Sequence, residues 1–266
     1  MTRVVLLTAD GLRHRYVACQ LHRQLGLAGI VSESKPGGQS GTQHELVSDT
    51  LAAHFRQRDV AERDLLEKAE FPSELPCLRI ESGQINSAAV YEWTRSLRPD
   101  ILVLYGTGIV RSPLLAIYHD RTINMHLGLS PYYRGSATNF WPLVDGVPEC
   151  IGVTIHLAVP EVDAGPILAQ VRPQLNAGDR IHEIGTKALM AGTVLLAEAV
   201  PAYVKGRVQT RAQARGIGRL CRRRDFNPEA VRRAWKNLDE GMIPAYLTER
   251  RRRDARYPLV QGIAAA

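Results

Sequence analysis

Cysteine is scarce in this chain of 266 residues: four in all, Cys19, Cys77, Cys150 and Cys221. They lie far apart, form no C-x-x-C pair and have no histidine at ligand spacing, so neither a disulfide framework nor a zinc site is indicated. Reduced, buried thiols are expected instead. Long hydrophobic runs are also missing, since none approaches the roughly 20 residues that a bilayer-spanning helix needs. The first residues pass from a short apolar run into a polar turn, which predicts a cytoplasmic protein without a signal peptide or membrane span. Repeats and low-complexity tracts are absent too.

What is present is a composition suited to folding, with 45% hydrophobic and 23% charged residues. A chain of this length can bury one large core or two modest ones. The net charge of +7 is unevenly spread. Residues 201–266 hold 16 Lys+Arg against 6 Asp+Glu, about +10, leaving 18 against 21 for residues 1–200. This basic C-terminal quarter could meet a phosphorylated substrate, nucleic acid or an acidic surface, or be a solvated face.

Short apolar runs alternate with amphipathic stretches. Strands are predicted at Val4–Thr8, Ala28–Glu33, Cys77–Ile80, Ile101–Tyr105, Thr122–His126, Gly152–His156 and Pro166–Val171. Helices are predicted at 13–25, within Glu45–Lys68, at Ser87–Ser96 and Leu114–Tyr118, and over 180–204. Lys35–Gly41 is a loop by composition. The alternation predicts an α/β fold, a Rossmann-like, doubly wound and mostly parallel sheet that binds ligands at the carboxyl ends of its strands. We expect a catalytic domain over 1–205, with a helical insertion at about 40–72 and a basic C-terminal extension over 206–266.

Asn124 and His126 stand two apart at a strand end, so both side chains leave the same face of the sheet. An amide N–H and an imidazolium placed together can hold the charge that builds on a carbonyl oxygen under attack by an amine. A carboxylate nearby would raise the histidine pKa and could accept the proton that the amine loses. Asp163, before the abrupt Gly165-Pro166 turn, is the candidate; Glu161 is a nearby competitor. Such residues also occur as ordinary hydrogen-bonded and turn residues. By themselves they indicate only an acid–base site.

The wider pattern is more specific. Thr122–Gly135 reads TINMHLGLSPYYRG, followed by NFWPLVDG from Asn139, IGVTIH from Ile151 and VDAGPILAQ from Val162. This ordered set resembles the formyltransferase family, which includes glycinamide ribonucleotide, methionyl-tRNA and nucleotide-sugar N-formyltransferases. The resemblance implies a catalytic triad of Asn124, His126 and Asp163, with His156 in support. It implies 10-formyltetrahydrofolate as cosubstrate, its pterin walled by Gly108, Ile109, Val110 and Arg111, and no metal. Tyr132, Tyr133 and Arg134, in the loop after His126, would face the acceptor.

The resemblance is good over 99–204, fair over 1–33 and thin over 34–85 and 206–266. Thr8–Tyr16 lacks the Gly-Ser-Asn run with which the glycinamide ribonucleotide enzymes hold phosphate. Residues 206–266 are too few and too helical for the C-terminal barrel of the methionyl-tRNA enzymes. The chain opens directly on its first strand, whereas the family's hydrolases carry a regulatory domain there, so hydrolysis is not expected as the main task.

By elimination the expected acceptor is a small amine, best a nucleotide-linked amino sugar, whose diphosphate suits arginines. The alternatives are another amine, whether amino-acid-derived, aminoacyl-tRNA or glycinamide ribonucleotide, and a non-catalytic folate- or RNA-binding module. Nucleic acid is disfavoured as a partner, and a homodimer through the tail is an expectation.

Overall fold

A computed structural model describes residues 2–35, 48–66, 68–214 and 216–264. Its frame is a seven-stranded sheet in the order β3-β2-β1-β4-β5-β7-β8. The strands are β1 (Val4–Ala9), β2 (Gly29–Glu33), β3 (Cys77–Ile80), β4 (Ile101–Leu104), β5 (Thr122–His126), β7 (Val153–Leu157) and β8 (Ile167–Val171). A short β6 (Tyr133–Gly135) pairs in parallel with β9 (Arg219–Cys221) away from the main sheet.

The central strands are continuous apolar runs because both faces are covered. Val4 and Leu6 of β1, with Ile101 and Val103 of β4, enter one core, while Val5 and Leu7, with Leu102 and Leu104, enter the other. On the first face lie α1 (Leu12–Leu25) and α6 (Ile181–Val204); the second is covered by α3 (Ala88–Ser96) and α4 (Leu114–Ile117). Helix α6 is long and apolar enough to cross a membrane by length and composition. Here it is a core helix, with Ala188, Leu189, Leu196 and Val200 buried against the sheet.

The first five strands are parallel, as the alternation predicts, but β5–β7 and β7–β8 are antiparallel. The reason is local. No long crossover helix separates β5 from β7, only β6, α5 (Trp141–Asp145) and a single turn of 3-10 helix, and β7 returns to β8 through a nine-residue loop. The expected insertion contains α2 (Asp49–Leu65), capped by the Ser48 side chain, which accepts from Leu51 N; residues 40–47 and 67 of it lie outside the described set, as does most of the Lys35–Gly41 loop.

Beyond α6 the chain folds back onto the sheet. Arg211 pairs with Ile167, and Gln261 with Ala169, so two returning segments cover the otherwise open edge of β8. Helix α7 (Pro228–Asp239) starts at Asn227, whose side chain accepts from Ala230 N at 2.9 Å, and has Pro228 in its first turn. It buries Ala230, Val231, Ala234 and Leu238 against Phe140, Trp141 and Leu143. Helix α8 (Met242–Thr248) completes this third cluster through Ile243 and Tyr246, and α9 (Arg250–Asp254) follows it.

Candidate active site

Alternation along β5 sends Ile123 and Met125 into the core and leaves Asn124 and His126 on the opposite face. The antiparallel register sets His156 directly across from Asn124, and the Asn124 Nδ2 lies 3.0 Å from the His156 Nε2. Asp163 arrives from the loop between β7 and β8. That loop turns so tightly that a Cβ on Gly165 would stand 1.8 Å from the Leu157 carbonyl oxygen.

The structure therefore brings the three expected side chains together. Asn124 Nδ2 donates to Asp163 Oδ1 at 3.3 Å, and His126 Nδ1 lies 3.3 Å from Asp163 Oδ2. Gly135 N–H donates to the same Oδ2 at 3.0 Å. Asp163 itself has φ 50°, left-handed backbone that an aspartate tolerates better than most residues. Its own carbonyl is fixed by Gln213, whose Nε2 donates to Asp163 O at 2.8 Å and to Gly165 O at 2.7 Å.

Burial would raise the Asp163 pKa, but His126, the neighbouring His156 and the Gly135 N–H outweigh it and hold the carboxyl well below the usual range. Asp163 is ionised. For His126 the balance tips the other way: burial pushes its pKa below the ordinary value, against the pull of Asp163 and of the Tyr133 carbonyl. The side chain is only 6% exposed, and this burial opposes the imidazolium that the sequence leads us to expect. Both ring nitrogens nonetheless face acceptors, Asp163 Oδ2 and the Tyr133 carbonyl oxygen at 3.0 Å. A neutral ring can satisfy only one of them.

Asn124 also differs from the simple picture of a free oxyanion donor. Both hydrogens of its amide are engaged, one toward His156 Nε2 and one toward Asp163. His156 Nδ1 is 2.8 Å from the Leu157 carbonyl, which favours the tautomer that leaves Nε2 to accept from Asn124.

The predicted pterin wall forms a braced loop. Gly108 N–H donates to Glu33 Oε2 at 2.6 Å, and Asn86 clamps the far end, its Oδ1 accepting from Arg111 N and its Nδ2 donating to Ile109 O. Ile109 is half exposed, whereas Val110 points into the core. In the loop after His126, Tyr133 is buried and its hydroxyl donates to Asp145 Oδ2 at 2.9 Å. Tyr132 packs edge-on to Tyr257, and Arg134 lies 3.6 Å from the competing carboxylate, Glu161, which is exposed. Arg134 is close enough to His126 to act on its charge.

Two strands from Asn124 on the same carboxyl edge, a cavity of about 560 Å³ opens where β1 ends. Asp10, Gly11, Arg13, Arg15, Lys35 and Arg58 contribute to its walls. The cavity lies between the start of α1 and the C-terminal half of α2, with Lys35 just after β2 at its rim.

A family model described as "Formyl transferase" matches residues 20–200. The chain belongs to that formyl transferase family. It is 34% identical over 138 residues to a methionyl-tRNA formyltransferase of Halalkalibacterium halodurans, covering 52% of this chain and 43% of the relative. The chain thus spans less than half the length of the curated relatives it matches. Among solved structures, phosphoribosylglycinamide formyltransferase from Anaplasma phagocytophilum shares the fold with a TM-score of 0.57 at 17% identity, over 84% of this chain and 98% of that one. The N-formyltransferase from Helicobacter canadensis, solved with folinic acid and dTDP-3-aminofucose, gives 0.55 at 13% identity, over 88% and 81%.

For this family member, sequence reasoning missed Gln213, the Gly135 N–H, Glu33 and Asn86. Gly135 stood inside the recognised Tyr-Tyr-Arg-Gly run, but its backbone role depends on the return of the Asp163 loop. Gln213 lies past the matched residues in a segment without any motif, and nothing in the chain's local pattern marks it.

Proposed function

We propose that this chain transfers a formyl group from 10-formyltetrahydrofolate to the primary amine of a small, phosphate-bearing acceptor, best a nucleotide-linked amino sugar. The observation that carries the reading is the convergence of Asn124, His126 and Asp163, with one ionised carboxylate within 3.3 Å of both partners. The acceptor class is supported by the cavity at the end of β1, where Arg13, Arg15, Lys35, Arg58, Arg63 and Lys68 stand against Asp10, Asp59, Glu62 and Glu70.

In this reading the amine nitrogen bonds to the formyl carbon and the carbonyl electrons move to oxygen. Asn124 exchanges its longer bond, to Asp163, for that oxygen. As charge builds there, His126 takes up a proton from solvent, gives up its contact with the Tyr133 carbonyl and donates to that oxygen while Asp163 compensates the ring; the proton returns to solvent as the carbonyl re-forms. The amine's proton leaves by way of Asp163 and reaches N10 of the folate as the carbon–N10 bond breaks, giving a formamide and tetrahydrofolate. The braced loop at Gly108–Arg111 would offer the pterin a wall that needs no reordering on binding.

The test is a panel of amines, with and without phosphate or a nucleoside diphosphate, incubated with 10-formyltetrahydrofolate. Formamide is read by mass and tetrahydrofolate by absorbance. Transfer to sugar nucleotides ahead of phosphate-free amines is expected. Transfer to none of them, or equal transfer irrespective of phosphate, refutes the activity or the acceptor class respectively.

A further inference from the structure

Two loops build the triad, and one segment beyond the family-matched residues ties both of them. At its start, Arg211 exchanges a pair of backbone hydrogen bonds with Ile167, each 2.8 Å, just after the Asp163 loop. Two residues on, Gln213 Nε2 donates to the carbonyls of Asp163 and Gly165. Because both partners are acceptors, the nitrogen of the amide must face them, which fixes the orientation of the side chain. At its end, Arg219 N–H donates to Tyr132 O at 2.8 Å, β9 pairs with β6, and Ser136 N–H donates to Cys221 O at 2.9 Å. Arg219 also reaches Asp145, the acceptor of the Tyr133 hydroxyl, and stacks on Trp141 at 4.2 Å.

Strand β6 is what presents the Tyr133 carbonyl to His126 and the Gly135 N–H to Asp163. The described residues 211–214 and 216–221 therefore fix the histidine's acceptor at one end and the carboxylate's backbone at the other. We infer that this segment completes the catalytic centre and that Gln213 is a positioning residue, acting on the proton relay through Asp163. The inference rests on the proposed role of Asp163. The two bonds from Gln213 fix the Asp163 backbone, which has φ 50°, and so set the point from which its carboxylate reaches Asn124, His126 and the Gly135 N–H.

The experiment compares wild type with Gln213→Met, which keeps the length of the side chain and loses both donors, and Gln213→Glu, which sets an acceptor against two carbonyls. For each, kcat, KM for 10-formyltetrahydrofolate, the pH profile of kcat and the thermal midpoint are measured on the full chain. The expected result is a fall in kcat of about tenfold or more in both variants, with KM within about twofold of wild type. The acid limb of kcat shifts, because the Asp163–His126 pair no longer has its native geometry, and Q213E regains part of its rate as its carboxyl protonates and recovers a donor. Unchanged kcat and pH profile in both variants overturn the inference. So does a loss of rate that merely follows a lowered thermal midpoint with the pH profile intact. An inactive wild type, or full activity in Asp163→Asn, indicts the reading of the triad instead.

Discussion

His126 is where two demands meet: its neighbours favour a cation, and its burial favours a neutral ring. The second wins, so the acid limb of kcat should lie below about pH 6.5, the ordinary value for histidine, with full rate retained at neutral pH. A limb above that value would show that Asp163 dominates after all. In the proposed mechanism the ring acts on developing charge and not on the pterin, so His126→Ala should lower kcat by roughly 10² to 10⁴ while leaving KM for the folate nearly unchanged. Near-normal turnover of that variant would remove His126 from the chemistry. The identities of Asn124, His126 and Asp163 were legible in the chain, because the motif places them in order around a strand end. The sign of the histidine's shift was not, because it depends on how completely the loop from Leu127 to Gly135 closes over the ring.

Among the elements, the pairing of β6 with β9 is the most exacting, and Gly135 is its tightest point. Its φ is +95°, and a Cβ there would stand 2.3 Å from the carbonyl oxygen of Cys221. Gly135→Ala must either strain the backbone or part the two strands, and both draw the Gly135 N–H away from Asp163. A loss of about 2 kcal/mol or more in urea unfolding is expected, together with reduced turnover. Wild-type stability and rate in that variant would mean that the pair is dispensable. The strands of the main sheet were readable as apolar runs, and the parallel half followed from the helices between them. The direction of β7 and β8 did not follow from that alternation, although the nine residues from Ala158 to Pro166, with no helix among them, are the mark of an antiparallel return. Helix α7 was legible only as a helical tendency, because what it covers is contributed by residues about ninety positions earlier, such as Phe140, Trp141 and Leu143.

The whole molecule is joined at a cluster of rings drawn from distant parts of the chain. His54 of α2 packs against His182 of α6 at 4.3 Å and against Phe140 and Phe226 at 5.7 and 5.4 Å. Burial, then Arg58, lowers the His54 pKa to about 4, and burial, then His54 and nearby arginines, lowers that of His182 to about 3. The folded values lie below the unfolded value near 6.5, so the native state binds fewer protons than the unfolded chain. Stability contributed by neutral burial is thus complete above about pH 6.5 and is lost as pH falls toward 4 and 3. At pH 4 the loss from His54, whose side chain is nearly fully buried, is on the order of 3 kcal/mol. A domain with a total of about 5–15 kcal/mol cannot absorb that together with a second such histidine and remain folded with much in reserve. His54→Phe offers a ring of suitable size to Phe55, Phe140 and Phe226 and has nothing to protonate. Urea midpoints across pH 8 to 4 should therefore fall less steeply for His54→Phe than for wild type, by about the same 3 kcal/mol at the acid end, with turnover at pH 8 unaltered. Parallel curves for the two proteins would mean that the acid sensitivity resides elsewhere, and His14, also lowered well below its ordinary value by burial and by Arg13, would be the next group to replace.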